Sequence, residues 1–255
     1  VKYGMLTSPA VSEAAGALYV MSKLGTLWAI SLSTGKPIWR FRSYIVFPSN
    51  QVAQPLVSAA LPPSADGCTD TVFIGGMHAL NACSGAVKWR APVLGSNYSS
   101  PSAASFRSAQ GTPLTMLFVN TKVPYGLSYL RFVHAATGEV ALSRQLLGTK
   151  ASHPVVSVSL ALPGGLVCIC TAPDLAHKGA FDTPEKKDGV LYAFGANSGK
   201  LLWSWRGATH STAFLSSPAI FPGSAALPEV RVFVAHQNPQ DEYGISALNA
   251  SSGAC

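Results

Sequence analysis

The sequence predicts an all-β protein, a β-propeller built from four-stranded blades. Three observations carry that expectation. A glycine-centred hairpin recurs five times, a proline-bearing strand precedes each copy, and the turn glycines (Gly35, Gly85, Gly138, Gly199 and Gly253) follow one another at nearly even intervals.

The hairpin first appears as LWAISLSTGKPIW, residues 27–39. Apolar residues alternate up to a polar turn, Gly35 suits the positive φ of a tight bulged turn, and Ile38 with Trp39 resumes a strand. The other copies are MHALNACSGAVKW (77–89), LRFVHAATGEVAL (130–142), LYAFGANSGKLLW (191–203) and ISALNASSGAC (245–255). Aligned on the turn glycine, each glycine follows a hydroxyl residue: Thr34, Ser84, Thr137, Ser198 or Ser252. Five positions before the glycine stand Ile30, Leu80, Val133, Phe194 and Leu248. Three before it stand Leu32, Ala82, Ala135, Ala196 and Ala250. Four after it come Trp39, Trp89, Leu142 and Trp203.

The strand that opens each unit reads TSPAVS (7–12), AQPLVS (53–58, with Gln54 in the serine slot), SSPSAAS (99–105), SHPVVSVS (152–159) and SSPAIF (216–221). A short β-branched or aromatic run lies between opening strand and hairpin: LYV at 18, VFI at 72, LFV at 117, LVCI at 166 and VFVA at 232. Opening strand, middle strand and a hairpin of two more make one blade. The blades are expected at about 6–43, 52–92, 98–146, 152–207 and 214–255, with residues 1–5 the tail of an upstream blade. About five blades fall short of the seven or eight expected of a closed ring, so 1–255 reads as a single propeller region with an incomplete ring, a fragment of a longer chain.

Composition fits this reading. Only 11% of residues are charged and 48% are hydrophobic, while 23 glycines and 18 prolines suit many turns between short strands. No helical periodicity and no long uninterrupted apolar run occur, so no membrane span is expected. The net charge of +7 is scattered rather than clustered, which argues against nucleic acid as a partner.

Of five cysteines, Cys68 and Cys83 share a repeat, one before the middle strand and one beside the hairpin turn, and form a candidate disulfide. Cys168 and Cys170 are expected on opposite faces of a strand and unbridged, and Cys255 is the last residue. The six histidines (His78, His134, His153, His177, His210, His236) occupy unlike positions of the repeat. Without CxxC, HxH or HExxH spacing they are read as structural, and no metal site is expected. Asn97 and Asn249 head glycosylation sequons. With the low charge, they favour the extracellular space or the secretory lumen over the cytoplasm.

The assembled residues resemble the PQQ-like repeat, a Leu-Tyr-Ala-Leu-Asp-Ala-x-Thr-Gly-Lys-x-x-Trp hairpin after a Ser-Ser-Pro-Ala-Val strand. LYAFGANSGKLLW and SSPAIF are the nearest copies, and the resemblance covers nearly the whole chain. It implies that Trp39, Trp89 and Trp203 dock between neighbouring blades. Leu142 departs from the pattern, as do Ser31, His134 and Gly195 where the family favours Asp or Asn; Asn81 and Asn249 fit better. The third and fourth units, which carry the longest insertions, are expected to be the least regular. The family includes quinone-dependent dehydrogenases and a bacterial outer-membrane assembly lipoprotein. The dehydrogenases use an adjacent-cysteine disulfide over the quinone, a Trp floor and an Asp/Glu/Asn calcium set. This chain has no Cys-Cys pair, and its 11 carboxylates are not clustered. The expectation is therefore a non-catalytic scaffold or protein-interaction module without catalytic residues or cofactor, contacting partners through loops 172–189 and 120–129. The alternative is the propeller portion of a quinone-dependent dehydrogenase-like enzyme whose active-site residues lie elsewhere or have been lost.

Overall fold

The computed structural model describes residues 7–22, 25–43, 55–58, 66–74, 78–91, 96–97, 99–107, 113–122, 128–146, 150–151, 154–159, 162–172, 189–206, 213–214, 217–223, 229–237 and 243–255. Every regular element among them is a strand. The chain forms two compact units, Val1–Thr121 with Val133–Ala141, and Lys122–Phe132 with Leu142–Cys255. Each is described by itself.

In the first unit, β1 (Ala10–Ser12), β2 (Ala17–Met21), β3 (Thr26–Ser31) and β4 (Pro37–Arg42) pair in chain order as an antiparallel sheet. Next come β5 (Pro55–Ser58), β6 (Thr71–Ile74), β7 (His78–Asn81) and β8 (Val87–Arg90), again in order. The third sheet comprises β9 (Ser96–Asn97), β10 (Ser102–Arg107), β11 (Pro113–Lys122), β12 (Ser128–His134) and β13 (Val140–Leu146), and the boundary between the units falls inside it. In the second unit, β14 (Lys150–Ala151) and β15 (Val155–Ser159) both pair with β16 (Leu162–Ala172), followed by β17 (Val190–Gly195) and β18 (Leu201–Trp205). The last sheet places β19 (Ala213–Phe214) and β20 (Ala219–Phe221) on β21 (Arg231–Gln237), whose other edge pairs with β22 (Tyr243–Asn249).

Middle strands are continuous apolar runs because both of their faces are covered. All four residues of β6 and all six of β17 are buried, whereas β4 and β18 alternate toward solvent. Tyr19, Met21 and Leu27 pack against Val72, Ile74 and Leu80, and the opposite face of that second sheet sets Phe73 and Ala79 against Leu117 and Val133. In the second unit Cys168, Cys170 and Leu191 pack with Val232, Val234 and Leu248.

The opening strand owes its motif to its proline, which has no N–H to give the ladder. A hydroxyl two positions earlier binds the facing strand there, and Ser99 Oγ also donates to the Asn120 carbonyl (3.3 Å). The Met21 N–H donates to Thr7 Oγ1 (3.0 Å), and the Asn120 N–H donates to Ser99 Oγ (2.7 Å). The same break splits the opening strand into β14 and β15, and into β19 and β20, on either side of Pro154 and Pro218.

All five hairpin turns share one hydrogen-bond pattern. The glycine N–H donates to the carbonyl four positions back: Gly35 to Ser31, Gly85 to Asn81, Gly138 to His134, Gly199 to Gly195 and Gly253 to Asn249. Each hydroxyl before the glycine accepts from the N–H two positions on, at 3.3–3.4 Å. The first turn residue explains the preference for Asn: Asn81 Oδ1 accepts from the N–H groups of Cys83 (2.8 Å) and Ser84 (2.9 Å). Asn249 Oδ1 does the same for Ser251 and Ser252.

Two expectations are corrected. The composition of segment 120–129 suggests a long insertion, but β11 extends to Lys122 and β12 begins at Ser128. Asn120 and Thr121 continue the strand because they are buried and paired there. The remaining connection matches in length the one between β21 and β22. Cys168 and Cys170 are two apart on β16, so the pleat sends both side chains to the same face rather than to opposite ones; both remain thiols.

Candidate functional site

The most fully built feature of each unit is the seam between one sheet and the next. In the first unit, the Trp39 indole leaves β4 and donates its Nε1–H to the Ala82 carbonyl of the second sheet (3.1 Å). Its ring lies over Gly85, where an added Cβ would stand 2.7 Å from Trp39 Cδ2. Trp89 repeats the arrangement on the next hairpin: Nε1–H donates to the Ala135 carbonyl (2.7 Å), and a Cβ on Gly138 would meet Trp89 Cε3 at 2.5 Å. In the second unit Trp203 donates to the Ala250 carbonyl (2.8 Å) and covers Gly253. The turn glycine is thus required twice. Its φ of 62–77° disfavours a side chain, and the indole occupies the space where Cβ would go. The alanine three positions earlier is buried and presents its carbonyl to the indole.

Leu142 fills the seam at Gly199 differently. Its Cδ2 sits directly over Gly199, and Arg144 Nε donates to the Gly199 carbonyl (2.8 Å), a different acceptor from the alanine carbonyl that the indoles use. The repeat alignment marks the departure at Leu142 but not the role of Arg144. The available signal is an arginine two positions beyond the missing tryptophan, on the same strand face.

A polar group backs the Trp39 seam. Tyr19 OH donates to the same Ala82 carbonyl (2.8 Å), its ring is 5.6 Å from Trp39, and Ser12 Oγ donates to buried Asp70 (2.5 Å). Burial pushes the Tyr19 phenol up to about 12; the Ser12 hydroxyl opposes this and the Asp70 charge adds to it. Cys68 and Cys83 form a disulfide with Cα atoms 6.1 Å apart, tying the segment before β6 to the turn that holds Ala82 and Gly85.

The remaining candidates are dispersed. His78 lies edge-on to Phe41 (5.3 Å), and burial, then the Arg90 charge, lowers its pKa to about 4. His236 Nε2 is 3.0 Å from Ser246 Oγ and its ring contacts Trp205. His134 sits in a hairpin turn, while His153, His177 and His210 lie outside the described residues. Among the described residues no three His, Cys, Asp or Glu side chains are grouped to hold a metal ion. Asn97 is in β9, its side chain outside the described set, and Asn249 caps its turn. Of loop 172–189, residues 173–188 lie outside the described residues. No described helix is long and apolar enough to cross a membrane.

The sequence family described as outer membrane protein assembly factor BamB matches residues 3–122. No curated protein matches the chain. Among solved structures, quinohemoprotein alcohol dehydrogenase from Comamonas testosteroni aligns with a TM-score of 0.65 at 16% identity, over 98% of this chain and 42% of that one. BamB from Moraxella catarrhalis aligns with a TM-score of 0.53 at 18% identity, over 99% and 63% respectively. BBS1N, solved in complex with ARL6DN, aligns with a TM-score of 0.53 at 14% identity, over 96% and 65%. The chain therefore spans between 42% and 65% of the length of these structures. Five antiparallel sheets in chain order, hairpins of one repeated pattern and these alignments give the chain a β-propeller fold built of PQQ-like repeats, with the sequence-family match covering residues 3–122.

Proposed function

We propose that this propeller region is a non-catalytic scaffold that holds protein partners through its loops. The observation that carries the reading is the uneven length of one connection. The link between second and third strands is short where Met21 leads to Thr26 and Ile74 to His78, yet the chain takes a far longer path from Ala172 to Val190. A connection of that length in sequence, joining two buried strands, is where contact surface can be added at little cost to the core. Among the described residues, dispersed histidines and a lone buried carboxylate, Asp70, held by a serine hydroxyl, fit a structural role better than an acid–base pair. The Cys68–Cys83 bridge supports an oxidising compartment, and with it use of the Asn97 and Asn249 sequons. The BamB and BBS1N propellers lend the partner-holding reading support by analogy.

The test is deletion of 174–187 with a short turn closing β16 onto β17. Crosslinking in the native compartment should recover a partner with the intact protein and lose it with the deletion, at unchanged thermal midpoint. Equal recovery refutes the loop as the contact. The enzyme alternative has its own test: pyrroloquinoline quinone with calcium would raise the thermal midpoint if the protein formed that site.

A further inference from the structure

β4 is the last strand of the first sheet, so among the described residues one of its edges has no strand beside it. The ladder to β3 determines which groups that edge presents. The Ser43 N–H donates to the Gly25 carbonyl (3.0 Å), and hydrogen-bonded pairs alternate along an antiparallel ladder. Phe41 and Trp39, opposite Leu27 and Ala29, therefore bond to β3, while the main-chain N–H and C=O groups of Arg40 and Arg42 turn outward. Side chains two apart share a face, and here Ile38, Arg40 and Arg42 are all exposed. The Arg40 guanidinium lies 5.9 Å from the Trp28 ring centroid, and neither arginine is in an ion pair among the described residues. β4 has no acidic residue. Ile38 is 49% exposed and Leu202, at the same position of its own fourth strand, is 47% exposed. The open face thus follows from the strand and not from its place in the chain.

We infer that the open edge of β4 is a docking site for an extended acidic segment of a protein partner, which adds to the sheet as a further antiparallel strand. The outward main-chain groups of Arg40 and Arg42 supply the ladder. Residues directly opposite on one face interact, so the guest sets carboxylates against Arg40 and Arg42 and an aliphatic side chain against Ile38. From its N-terminus such a guest runs acidic, any, acidic, any, aliphatic. The arginines also reject other strands, because a neutral guest would cover two cations without a counter-charge. A second copy of β4 brings further arginines to the edge and is disfavoured by the same repulsion. The other fourth strands offer less. Lys88 of β8 donates to Thr71 Oγ1 (2.8 Å), Arg144 of β13 is held by the Gly199 carbonyl, and β18 has no charged residue. The site extends the partner-holding reading to a surface separate from segment 172–189. Deletion of 174–187 leaves it untouched, so the two can fail independently.

The probe is a dye-labelled peptide, Ser-Glu-Val-Glu-Val-Ile-Ser, titrated onto the full chain at low salt. A saturable rise in anisotropy is expected. Amide exchange should slow by about tenfold or more at Arg40 and Arg42 and stay unchanged at Trp39 and Phe41, which already bond to β3. Arg40→Glu together with Arg42→Glu should weaken binding of this peptide by about tenfold or more and admit its counterpart with Lys in place of each Glu. N-methylation of both Glu residues keeps the charge but removes the ladder donors, and should abolish binding. No saturable binding to the intact chain, binding that survives N-methylation, or protection that does not alternate overturns the inference. Should the double variant fail to fold, the N-methylated peptide decides alone. Retention on phosphatidylserine vesicles without peptide binding would assign the arginines to a membrane surface. Self-association lost in Arg42→Glu would assign the edge to a second copy. Either result overturns the peptide site.

Discussion

Comparing Gly138→Ala with Gly35→Ala isolates what a docked indole contributes to the fold. Both substitutions place a side chain at positive φ, 77° and 66° respectively, so each carries about 1–2 kcal/mol of backbone cost. The two sites differ in what the new methyl meets. At Gly35 nothing described lies within 4 Å, whereas at Gly138 the methyl would stand 2.5 Å from Trp89 Cε3. Ordinary contact requires the ring to retreat by about 1 Å, yet Trp89 is only 9% exposed and is packed against Phe73. The retreat also lengthens the 2.7 Å bond from Nε1 to Ala135 beyond hydrogen-bonding range. Overpacking costs about 1–3 kcal/mol and the lost bond about 1 kcal/mol, so Gly138→Ala should exceed Gly35→Ala by about 2–4 kcal/mol. Urea unfolding followed by circular dichroism and indole emission reads the difference, which at this chain length corresponds to about 5–15 °C in thermal midpoint. Equal losses at the two glycines would refute the claim that the ring, rather than the φ angle, fixes the glycine at the seam.

Further outcomes are expected from the same geometry. Trp203→Phe keeps an aromatic face on Gly253 but leaves the Ala250 carbonyl without its donor, costing about 1–3 kcal/mol in urea unfolding. Cys83→Ser opens the bridge to Cys68 and should cost about 3 kcal/mol, with Trp39 emission shifting to the red as its seat loosens. Burial holds the His78 pKa at about 4, below the 6.5 of the unfolded chain, so the unfolded form binds a proton that the native form refuses. Stability should therefore fall as pH drops from about 6.5 to 4, and His78→Gln should flatten that part of the profile in thermal melts.

What the sequence disclosed followed from how local each cause is. The turn glycine, the hydroxyl before it and the alanine three positions back are fixed by bonds within one hairpin, so they repeat visibly. The tryptophans were legible because one ring serves one seat at a constant offset. The Arg144 bond to Gly199 was not, since it joins two repeats through a contact that has no counterpart among the described residues of the other units. The serine or threonine two positions before the proline recurs in four of the five units, but its purpose emerges only from the Met21 and Asn120 N–H groups that donate to it. Segment 120–129 misleads because Asn, Lys, Pro and Gly suggest a loop, while burial of Asn120 and Thr121 prolongs the strand.

Every indole in these seams donates to a main-chain oxygen and rests on a residue with no side chain. The receiving surface is therefore nearly blind to the identity of its neighbours, and the rest of a repeat is free to diverge as long as the small turn persists. Such tolerance lets architecture outlast wording, and this chain keeps the fold it shares with an alcohol dehydrogenase over 98% of its own length and 42% of that one at 16% identity.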